Sequence, residues 1–576
     1  MEYKSKIVFH ADDLGLTKGF NQGIKLAYKN GVLQSTCIRT NGPFFRDAID
    51  KVIPDCKELS VGLHLNLVEG KTHLSNPRSF DKICDKKGFF KYKFFGLLLN
   101  SFNKKFLIQI EEELRAQFEI ANKNLKKIDH INSHQHCCAI PNIFEITCKL
   151  AKEFNVKTVR IADEKFFFSG TLFNHLNSAY LLNLIKWLVL KTCSFFNRTT
   201  AKKYTLNYPD CFIGILYTDF MNPTVCIDAI NKTNKYDLVE ILLHPATYDG
   251  GLDEKYLSSE VRDYCLSPSR NIELQTLISD QLISFIKKNN IIISNFDRSI
   301  QKKIMYKLDN EIFTKKKIFL IFDETNFYHP GLIHKLTRED KTIQIVGVGI
   351  VKLDYGGKLQ AHFIKNTFYI GFLQIALLTI KSLFISIAGL LPKFIKGDFY
   401  SSCKQVVIAN KIEFKIIKNV NSYNFKSWVS NLEPDFIISS NSLLFDEDLI
   451  NIPSKACINR HSSLLPSNAG ILPVYRSLLK NETHTGVTIH SMTKKIDEGK
   501  ILNQFSIPIF PNDTLTKLYK LCFEVSFILI IDTINNYSKL SSKKDNSITH
   551  QFPKSYYSFP TKNEWKKFKK NGLRFL

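Results

Sequence analysis

Two adjacent carboxylates, Asp12 and Asp13, follow the first predicted strand of the chain, residues 6–9. Like charges repel each other, and neighbouring side chains of a strand point to opposite faces of a sheet. The pair therefore suits a place where a strand breaks into a loop, with one carboxylate binding a cation and the other acting as a base. Taken alone, such a pair is more often a solvated turn or the cap of a helix, here the helix predicted near Lys18.

Histidines occur in two further predicted strands. His64 lies within the apolar stretch 59–67, and His134 lies in the segment 128–136, which ends another strand. Alone, His64 would more often be a core histidine bonded to the backbone. Together, one carboxylate and two imidazoles from three strand ends form a three-ligand site with open positions, which is what metal-assisted hydrolysis requires. The combination therefore predicts a hydrolytic metal centre.

The motifs around these residues resemble the YdjC-like carbohydrate deacetylases over about residues 5–298. The shared motifs are an Ala-Asp-Asp-x-Gly start, an Asn-Gly-Pro turn, a Gly-x-His-x-x-Leu strand, an Asn-Ser-His-x-His segment and a Leu-His-Pro segment, at 11–15, 41–43, 62–67, 132–136 and 243–245. The resemblance implies a barrel-like α/β fold of parallel strands with the site at their carboxyl ends, which agrees with the positions of the motifs.

The resemblance also implies a role for individual residues and an N-acetylated sugar as substrate. Asp13, His64 and His134 would bind a divalent metal, Zn or Mg, and Asp12 would be the general base. His244, which precedes a proline, would be the general acid. A structural histidine at a strand end fits the same His-Pro pattern.

A second set of polar residues lies in the C-terminal half, in the motifs 459–466, 486–489 and 496–499. Asn, His and Asp in this order suit acyl transfer to an amine, because an amide can bind the oxyanion, an imidazole can move protons and a carboxylate can orient the imidazole. The motifs resemble the folate-dependent formyltransferases of the methionyl-tRNA and glycinamide-ribonucleotide type, over about residues 316–535.

This second resemblance implies a Rossmann-like fold and 10-formyltetrahydrofolate as the cofactor. It makes Asn459, His461 and Asp497 the catalytic residues. The loop that it places against the folate consists of Ser463, Leu464, Leu465 and Pro466.

The length of 576 residues is too great for a single core. A hydrophobic content of 44% excludes a disordered or fibrous chain. We therefore expect an α/β protein with a barrel-like (β/α) deacetylase domain at 1–300, a basic linker at 301–316, a Rossmann-like formyltransferase domain at 317–540 and a basic C-terminal tail at 541–576. A solvated tail is the ordinary expectation, but its aromatic residues suggest that part of it docks on the domain.

The formal net charge is +25, and the pI is about 9.3. Such a charge favours an anionic partner, which composition leaves open between nucleic acid, a phosphorylated small molecule and an anionic membrane surface. The 13 cysteines include no C-x-x-C pair, which argues against a zinc ribbon or a disulfide framework and favours reduced, cytosolic thiols. The N-terminus shows no apolar segment of a secretory signal, so we expect a cytoplasmic protein.

Two apolar stretches bear on membrane contact. Residues 369–391 are long enough to span a bilayer, but the central Lys381 would cost about 2.5–3.5 kcal/mol there. Spanning would also separate the predicted strand at 318–322 from the motifs that follow. We expect one or two buried or surface-lying helices, with peripheral contact at the inner face of a membrane left open. For 180–190, packing against the barrel is favoured over lipid contact.

The leading hypothesis is a bifunctional sugar-modifying enzyme. It would remove the acetyl group from an N-acetylated sugar, which is free or linked to a nucleotide or lipid, and then formylate the amino sugar. The alternative is a tRNA-directed formyltransferase with an accessory hydrolase domain. Too few residues follow position 535 for the RNA-binding domain of such enzymes, so we expect no nucleic-acid partner. A scaffold of degenerate domains is disfavoured because both sets keep all their chemical groups. The sugar, the metal and the oligomeric state stay open.

Overall fold

The computed structural model describes residues 5–74, 79–169, 178–248, 256, 258–296, 301–302, 315–338, 342–352, 355–391, 399–441, 443–543 and 553–576. Most of the predicted linker and residues 544–552 of the predicted tail lie outside these residues. The described residues form two compact units, one up to residue 302 and the other from residue 315.

The first unit alternates strands with helices. Its strands are β1 (Lys6–Leu14), β2 (Ser35–Ile38), β3 (Ser60–Leu65), β4 (Ile131–Ser133), β5 (Cys211–Ile213), β6 (Leu238–Leu243), β7 (Ile292–Ser294) and β8 (Gln301–Lys302). Its helices are α1 (Lys18–Asn30), α2 (Phe45–Asp47), α3 (Phe94–Asn100), α4 (Lys104–Asn124), α5 (Pro141–Glu153), α6 (Ser178–Lys203), α7 (Pro223–Thr233), α8 (Ser259–Cys265), α9 (Pro268–Leu277) and α10 (Asp280–Lys288), with a π-helical turn at Ala48–Val52 and a 3-10 turn at His134–Ala139.

Parallel strands of this unit form one curled, half-barrel sheet in the order β4-β3-β2-β1-β6-β5. Strand β7 pairs with the start of β1, whereas β2 pairs with its end, and β8 runs antiparallel to β7. Because β1, β3, β4 and β6 run in the same direction, their carboxyl ends meet at one edge of the sheet. The expected barrel-like α/β fold, with the motifs at this edge, is confirmed.

Strand β1 does not break at the carboxylate pair, contrary to the expectation from sequence. It continues to Leu14, and its pairing with β2 is interrupted by a bulge between Ala11 and Leu14. Within the bulge Asp13 has a φ of 70°, a left-handed conformation that aspartate tolerates better than most residues. The helix cap is a different residue, since the Thr17 side chain accepts the N–H of Phe20. The bulge, rather than a loop, redirects the two carboxylates.

Helix α6 contains the apolar stretch 180–190. Its Tyr180 and Leu190 are buried against the barrel, as the sequence favoured. The other side of the helix exposes Leu181 and Ile185 to solvent. Only one side of this apolar stretch is therefore packed against the barrel.

The second unit contains its own sheet and helices. Its strands are β9 (Lys316–Asp323), β10 (Ile343–Val351), β11 (Phe414–Ile417), β12 (Phe436–Ser440), β13 (Ala456–His461), β14 (Ala469–Gly470), β15 (His484–Ser491), β16 (Ile501–Pro508) and β17 (Tyr556–Tyr557). Its helices are α11 (His329–Arg338), α12 (Tyr355–Lys365), α13 (Thr367–Ile370), α14 (Phe372–Leu390), α15 (Cys403–Ala409), α16 (Tyr423–Asn431), α17 (Glu447–Ile450), α18 (Pro473–Leu479), α19 (Leu515–Asn535), α20 (Tyr537–Ser542) and α21 (Lys562–Lys570).

The main sheet of the second unit has the strand order β11-β10-β9-β12-β13-β15-β16. The strands from β11 to β13 are parallel, and β15 and β16 are antiparallel additions. Strands β10 and β11 follow on one side of the central β9, and β12 and β13 follow on its other side. Where the strand order reverses in this way, a crevice is expected at the carboxyl ends of the strands, here β9 and β12. The expected Rossmann-like arrangement is confirmed, and β13 ends beside this crevice with His461.

The apolar stretch 369–391 forms α14 and the end of α13. Among the described residues, α14 is the one helix long and apolar enough to cross a membrane, and only 6% of its most apolar window is buried. The expectation of a surface-lying helix is confirmed, and that of a buried core helix is wrong.

The last described residues pack on the second unit. Strand β17 pairs in parallel with β14. Trp565 of α21 is fully buried, with ring centroids of Tyr475 and Phe575 at 4.5 and 5.6 Å, and its indole N–H lies 2.9 Å from His362 Nε2. The prediction that part of the tail docks on the domain is confirmed for residues 553–576.

All 13 cysteines lie among the described residues, where they are buried and form no disulfide. Ten of them lie in the first unit and three in the second. This arrangement agrees with the expectation of reduced thiols.

Replacing Trp565 by alanine is expected to lower the free energy of unfolding of the second unit by about 3–5 kcal/mol, because the change removes buried surface and leaves a cavity. Urea denaturation followed by circular dichroism measures the effect. The matched control is Tyr423→Ala, which removes an aromatic side chain that is 81% exposed in the same unit and should change the free energy by less than about 0.5 kcal/mol. Equal, small effects of the two changes would show that α21 is not part of the core.

Candidate active sites

Asp13, His64 and His134 meet at the carboxyl edge of the first sheet. All three are buried, and they offer ligand atoms that lie within 4.8 Å of one another. Asp13 Oδ1 is 3.0 Å from His134 Nδ1 and 3.4 Å from His64 Nε2. Neither Asp13 Oδ1 nor His64 Nε2 has a regular hydrogen bond among the described residues. Buried polar atoms without partners that converge on one point fit a divalent cation.

The imidazole of His134 lies between two carboxylates. Its Nε2 is 3.0 Å from Glu69 Oε2, opposite the contact with Asp13. Burial alone would lower the pKa of His134, but Asp13 and Glu69 outweigh burial and raise it to about 9. Glu69 remains ionised, since His134 and Arg39 lower its pKa to about 2 against the effect of burial. A carboxylate behind the second ring nitrogen orients a histidine for metal binding.

Asp12 is held by a buried arginine. Arg160 Nη1 and Nη2 each lie 2.9 Å from one of the two carboxylate oxygens, and His10 Nε2 and Asn132 Nδ2 contact Oδ1 at 3.0 and 2.8 Å. Burial opposes the charge, yet Arg160 and His64 hold the pKa of Asp12 well below its usual range. Arg160 also contacts Glu240. Asp12 is therefore an ionised, fixed acceptor beside the predicted metal ligands.

His244 reaches the same region from the end of β6. Its Nδ1 lies 3.3 Å from Glu273 Oε2, and its ring centroid is 6.0 Å from that of Tyr264. The Tyr264 hydroxyl donates to Asp13 Oδ2 at 2.9 Å. Tyr264 thus contacts both the predicted general acid and a predicted ligand, and the side chain of His244 keeps partial access to solvent.

In the second unit the structure brings the other predicted catalytic residues together at the end of β13. Asn459 Nδ2 lies 3.4 Å from Asp497 Oδ1, and His461 Nδ1 lies 3.6 Å from Asp497 Oδ2. His490, on β15, joins the group with Nε2 3.2 Å from Asn459 Nδ2. The backbone N–H of Gly470 donates to Asp497 Oδ2 at 2.9 Å.

The charges of this group are set by burial and by mutual contacts. Burial lowers the pKa of His461, so the imidazole is neutral near pH 7 and can move protons. Burial alone would raise the pKa of Asp497, but His461 and His490 hold it well below its usual range. A neutral imidazole beside a fixed carboxylate is the state that acyl transfer to an amine requires.

Family comparisons match the two units to two different families. The YdjC-like protein family matches residues 6–288, and the formyl transferase family matches residues 403–534. The chain joins a YdjC-like domain to a formyl transferase domain. It is therefore an enzyme of the deacetylase and formyltransferase classes.

Individual relatives agree with this division. A carbohydrate deacetylase of Thermoanaerobacter pseudethanolicus is 27% identical over 292 residues, which are 50% of this chain and 97% of that protein. The bifunctional polymyxin resistance protein ArnA of Wigglesworthia glossinidia brevipalpis is 42% identical over 133 residues, 23% of this chain and 20% of that protein. A methionyl-tRNA formyltransferase of Nitrosomonas europaea is 29% identical over 147 residues, 25% of this chain and 45% of that protein. The chain spans less than half the length of the last two.

A cavity of ≈ 160 Å³ opens at the predicted catalytic residues of the formyl transferase domain. Its walls include Asn459, His461, Asp497 and the segment 443–445. The ring of Tyr556, from the docked C-terminal segment, completes the lining. The predicted folate loop, 463–466, is not part of this lining, and its Ser463, Leu464 and Leu465 are buried. Contact of that loop with the folate stays a prediction that the cavity does not support.

Several residues of the two sites were not singled out in the sequence. In the YdjC-like domain these are Arg39, Glu69, Arg160 and Tyr264, and in the formyl transferase domain the missed residue is His490. None of the five lies within the short motifs, but His490 directly follows the Gly-Val-Thr-Ile motif. That adjacency was the one available signal for them, because the other four reach the sites through tertiary packing.

Replacing Arg160 by alanine is expected to cost about 3–5 kcal/mol of unfolding free energy, because the change leaves Asp12 and Glu240 buried without a positive partner. The matched control is Arg115→Ala, which breaks a solvent-accessible contact with Glu153 and should cost less than about 1 kcal/mol. Urea denaturation of the YdjC-like domain compares the two. A loss at Arg160 as small as that at Arg115 would contradict the assignment of a buried charge network.

Proposed function

We propose that the chain is a bifunctional enzyme that modifies an amino sugar in two successive steps. The YdjC-like domain removes the acetyl group from an N-acetylated sugar, and the formyl transferase domain places a formyl group on the freed amine. The proposal rests on one observation: a single chain contains one group of residues suited to amide hydrolysis and another suited to acyl transfer to an amine. The product of the first step carries the functional group that the second step consumes.

In the first step, water adds to the acetamide carbonyl and the C–N bond breaks. A divalent metal at the three ligand residues supplies Lewis acidity when it is bound, and two imidazoles among the ligands favour Zn over Mg. Asp12, kept ionised by Arg160, accepts a proton from the attacking water. His244, oriented by Glu273, gives a proton to the departing amine. The products are acetate and the free amino sugar.

In the second step, 10-formyltetrahydrofolate supplies the formyl group when it is bound. The neutral amine would attack the formyl carbon, and negative charge would develop on the formyl oxygen. The bond from that carbon to the folate nitrogen would then break, which releases tetrahydrofolate and the N-formyl sugar. Asn459 and His461, in the cavity wall, stabilise that charge. Asp497 orients the imidazole of His461, which can take the proton that the amine loses. The cavity walls and Tyr556 offer apolar and aromatic surface for the donor or the sugar.

The tRNA-directed alternative has weaker support. Within the formyl transferase domain, identity to the bifunctional ArnA relative is 42%, against 29% for the methionyl-tRNA formyltransferase of Nitrosomonas europaea. We therefore assign no nucleic-acid partner and propose a cytoplasmic reaction, in keeping with the buried cysteines, which form no disulfide. Nucleotide-linked and lipid-linked sugars are both compatible with the proposal.

Alanine at Asp13, His64 or His134 is expected to weaken metal binding by more than the roughly 10–100-fold loss typical of residues that only support a ligand, and to abolish deacetylation. Formyl transfer to a supplied amino sugar should be unchanged, because its residues lie in the other unit. Metal content, acetate release and formyl transfer are measured separately. Asp81→Ala, an exposed carboxylate of the YdjC-like domain, is the control. Full deacetylase activity in metal-free His134→Ala protein would rule out the ligand assignment.

The order of the two steps follows from amine chemistry. An acetamide nitrogen is delocalised into its carbonyl and is a poor nucleophile. Asp12→Asn is therefore expected to block formation of the N-formyl sugar from the acetylated sugar but not from the free amine. Asp497→Asn should instead let the free amino sugar accumulate. Chromatography of the reaction mixtures, with mass detection, distinguishes the three sugars.

Two further results complete this experiment. Asp55→Asn and Asp448→Asn, which change partly exposed and exposed carboxylates, should behave like the unmodified enzyme. Mixing the Asp12→Asn and Asp497→Asn proteins should restore the product if the amine is released, and should fail if it passes between sites within one chain. Conversion of the acetylated sugar by Asp12→Asn protein at the normal rate would refute the sequential scheme.

A further inference from the structure

Helix α14 carries an apolar face that the rest of the described chain leaves uncovered. The face consists of side chains spaced three or four residues apart, which places them on one side of the helix, and all are exposed: Leu373, Leu377, Ile380, Phe384 and Ile387. Phe384 is 71% exposed and Leu373 is 70% exposed. Contiguous apolar surface of this kind marks an interaction site.

The opposite side of α14 is fastened to the second unit along its length. Near its start, Gln374 Oε1 accepts the N–H of Phe575 at 2.7 Å. At its middle, Ser382 Oγ lies 2.6 Å from Asn326 Nδ2, and at its end the Gly389 carbonyl accepts from Gln405 at 3.3 Å. A helix held at three points against a domain lies flat on that domain. Crossing a bilayer would require these three contacts to break, although the length and composition of the helix would allow it to span.

Positive charge borders this apolar face. Lys381 lies on α14 itself and is exposed, and Lys365 precedes it on α12. From the docked C-terminal helix α21, Lys562 and Lys566 approach the ring of Tyr369, with Nζ 5.8 and 5.2 Å from its centroid. The sequence from 355 to 391 contains no acidic residue.

We propose that this surface, the apolar face of α14 with the bordering lysines, docks on an anionic lipid bilayer. An amphipathic helix with a basic border lies in the plane of the bilayer interface, with its apolar side chains among the lipid tails and its lysines at the head groups. A second copy of the chain is the less suitable occupant, because two such faces would bring their lysines together without an acidic partner. The docking is independent of both proposed reactions.

The test is cosedimentation of the full-length protein with vesicles. One set contains phosphatidylglycerol in phosphatidylcholine, and the other contains phosphatidylcholine alone. The unmodified protein should sediment with the anionic vesicles and be released by high salt, because the electrostatic part of the attraction is screened. Ile380→Ser/Phe384→Ser should weaken binding by more than about tenfold, since two large side chains lose their burial in lipid.

Matched variants distinguish binding through this surface from nonspecific hydrophobic or electrostatic binding elsewhere on the protein. Ile408→Ser/Ile416→Ser removes two exposed apolar side chains elsewhere in the second unit and should bind normally. Lys562→Glu/Lys566→Glu should reduce binding to the level seen with phosphatidylcholine, whereas Lys411→Glu/Lys418→Glu, with the same change of net charge on exposed positions, should bind nearly as well as the unmodified protein. Circular dichroism checks that every variant is folded.

Three results would overturn the proposal. The first is an unmodified protein that stays in the supernatant with anionic vesicles. The second is binding that the Ile380→Ser/Phe384→Ser change leaves intact, which would assign it to another surface such as the exposed side of α6. The third is a dimer in analytical ultracentrifugation that the same change dissociates, without vesicle binding, which would assign the face to self-association.

Discussion

Two carboxylates at consecutive positions cannot share one buried site unless the backbone turns between them and each meets positive charge. In the YdjC-like domain the bulge of β1 supplies the turn, with Asp13 in a left-handed conformation. Arg160 lies against Asp12, and His134, at the predicted metal site, lies against Asp13. Arg160 in turn lies against Glu240, and His134 against Glu69. The polar interior of this domain is a chain of compensated charges that starts from the neighbouring aspartates.

In the formyl transferase domain the charge of one carboxylate, that of Asp497, is likewise compensated by neighbouring groups. Asp497 also has a left-handed backbone, with φ 53°, and its carboxylate lies between His461, His490 and the N–H of Gly470. Gly470 belongs to β14, which is completed by β17 from the C-terminal segment. The orientation of the predicted catalytic carboxylate thus depends on a segment whose basic composition suggested a solvated tail. Strained backbone of this kind persists where surrounding contacts over-determine it.

The sequence predicted the reactive groups better than their supports. Asp13, His64 and His134 were identifiable because each ends a predicted strand, and parallel strands bring such ends to one edge. Arg160, Glu69 and Tyr264 carry no such signal, since their roles arise from packing between segments distant in sequence. The continuation of β1 through the carboxylate pair was also not predictable, because a bulge depends on the partner strand as much as on the strand itself. Likewise, the burial of residues 463–465 follows from their hydrogen bonds with Thr488 of β15 and not from their motif.

All thirteen thiols are buried, so their reaction with an added reagent reports when the structure around them opens. A buried thiol is shielded from alkylating reagents until the structure around it separates, and it then reacts irreversibly. With ten thiols in one unit and three in the other, the mass added during a pulse of reagent reveals which unit opened. The opening rates of the two units can thus be measured separately in one sample, without a probe attached to either unit.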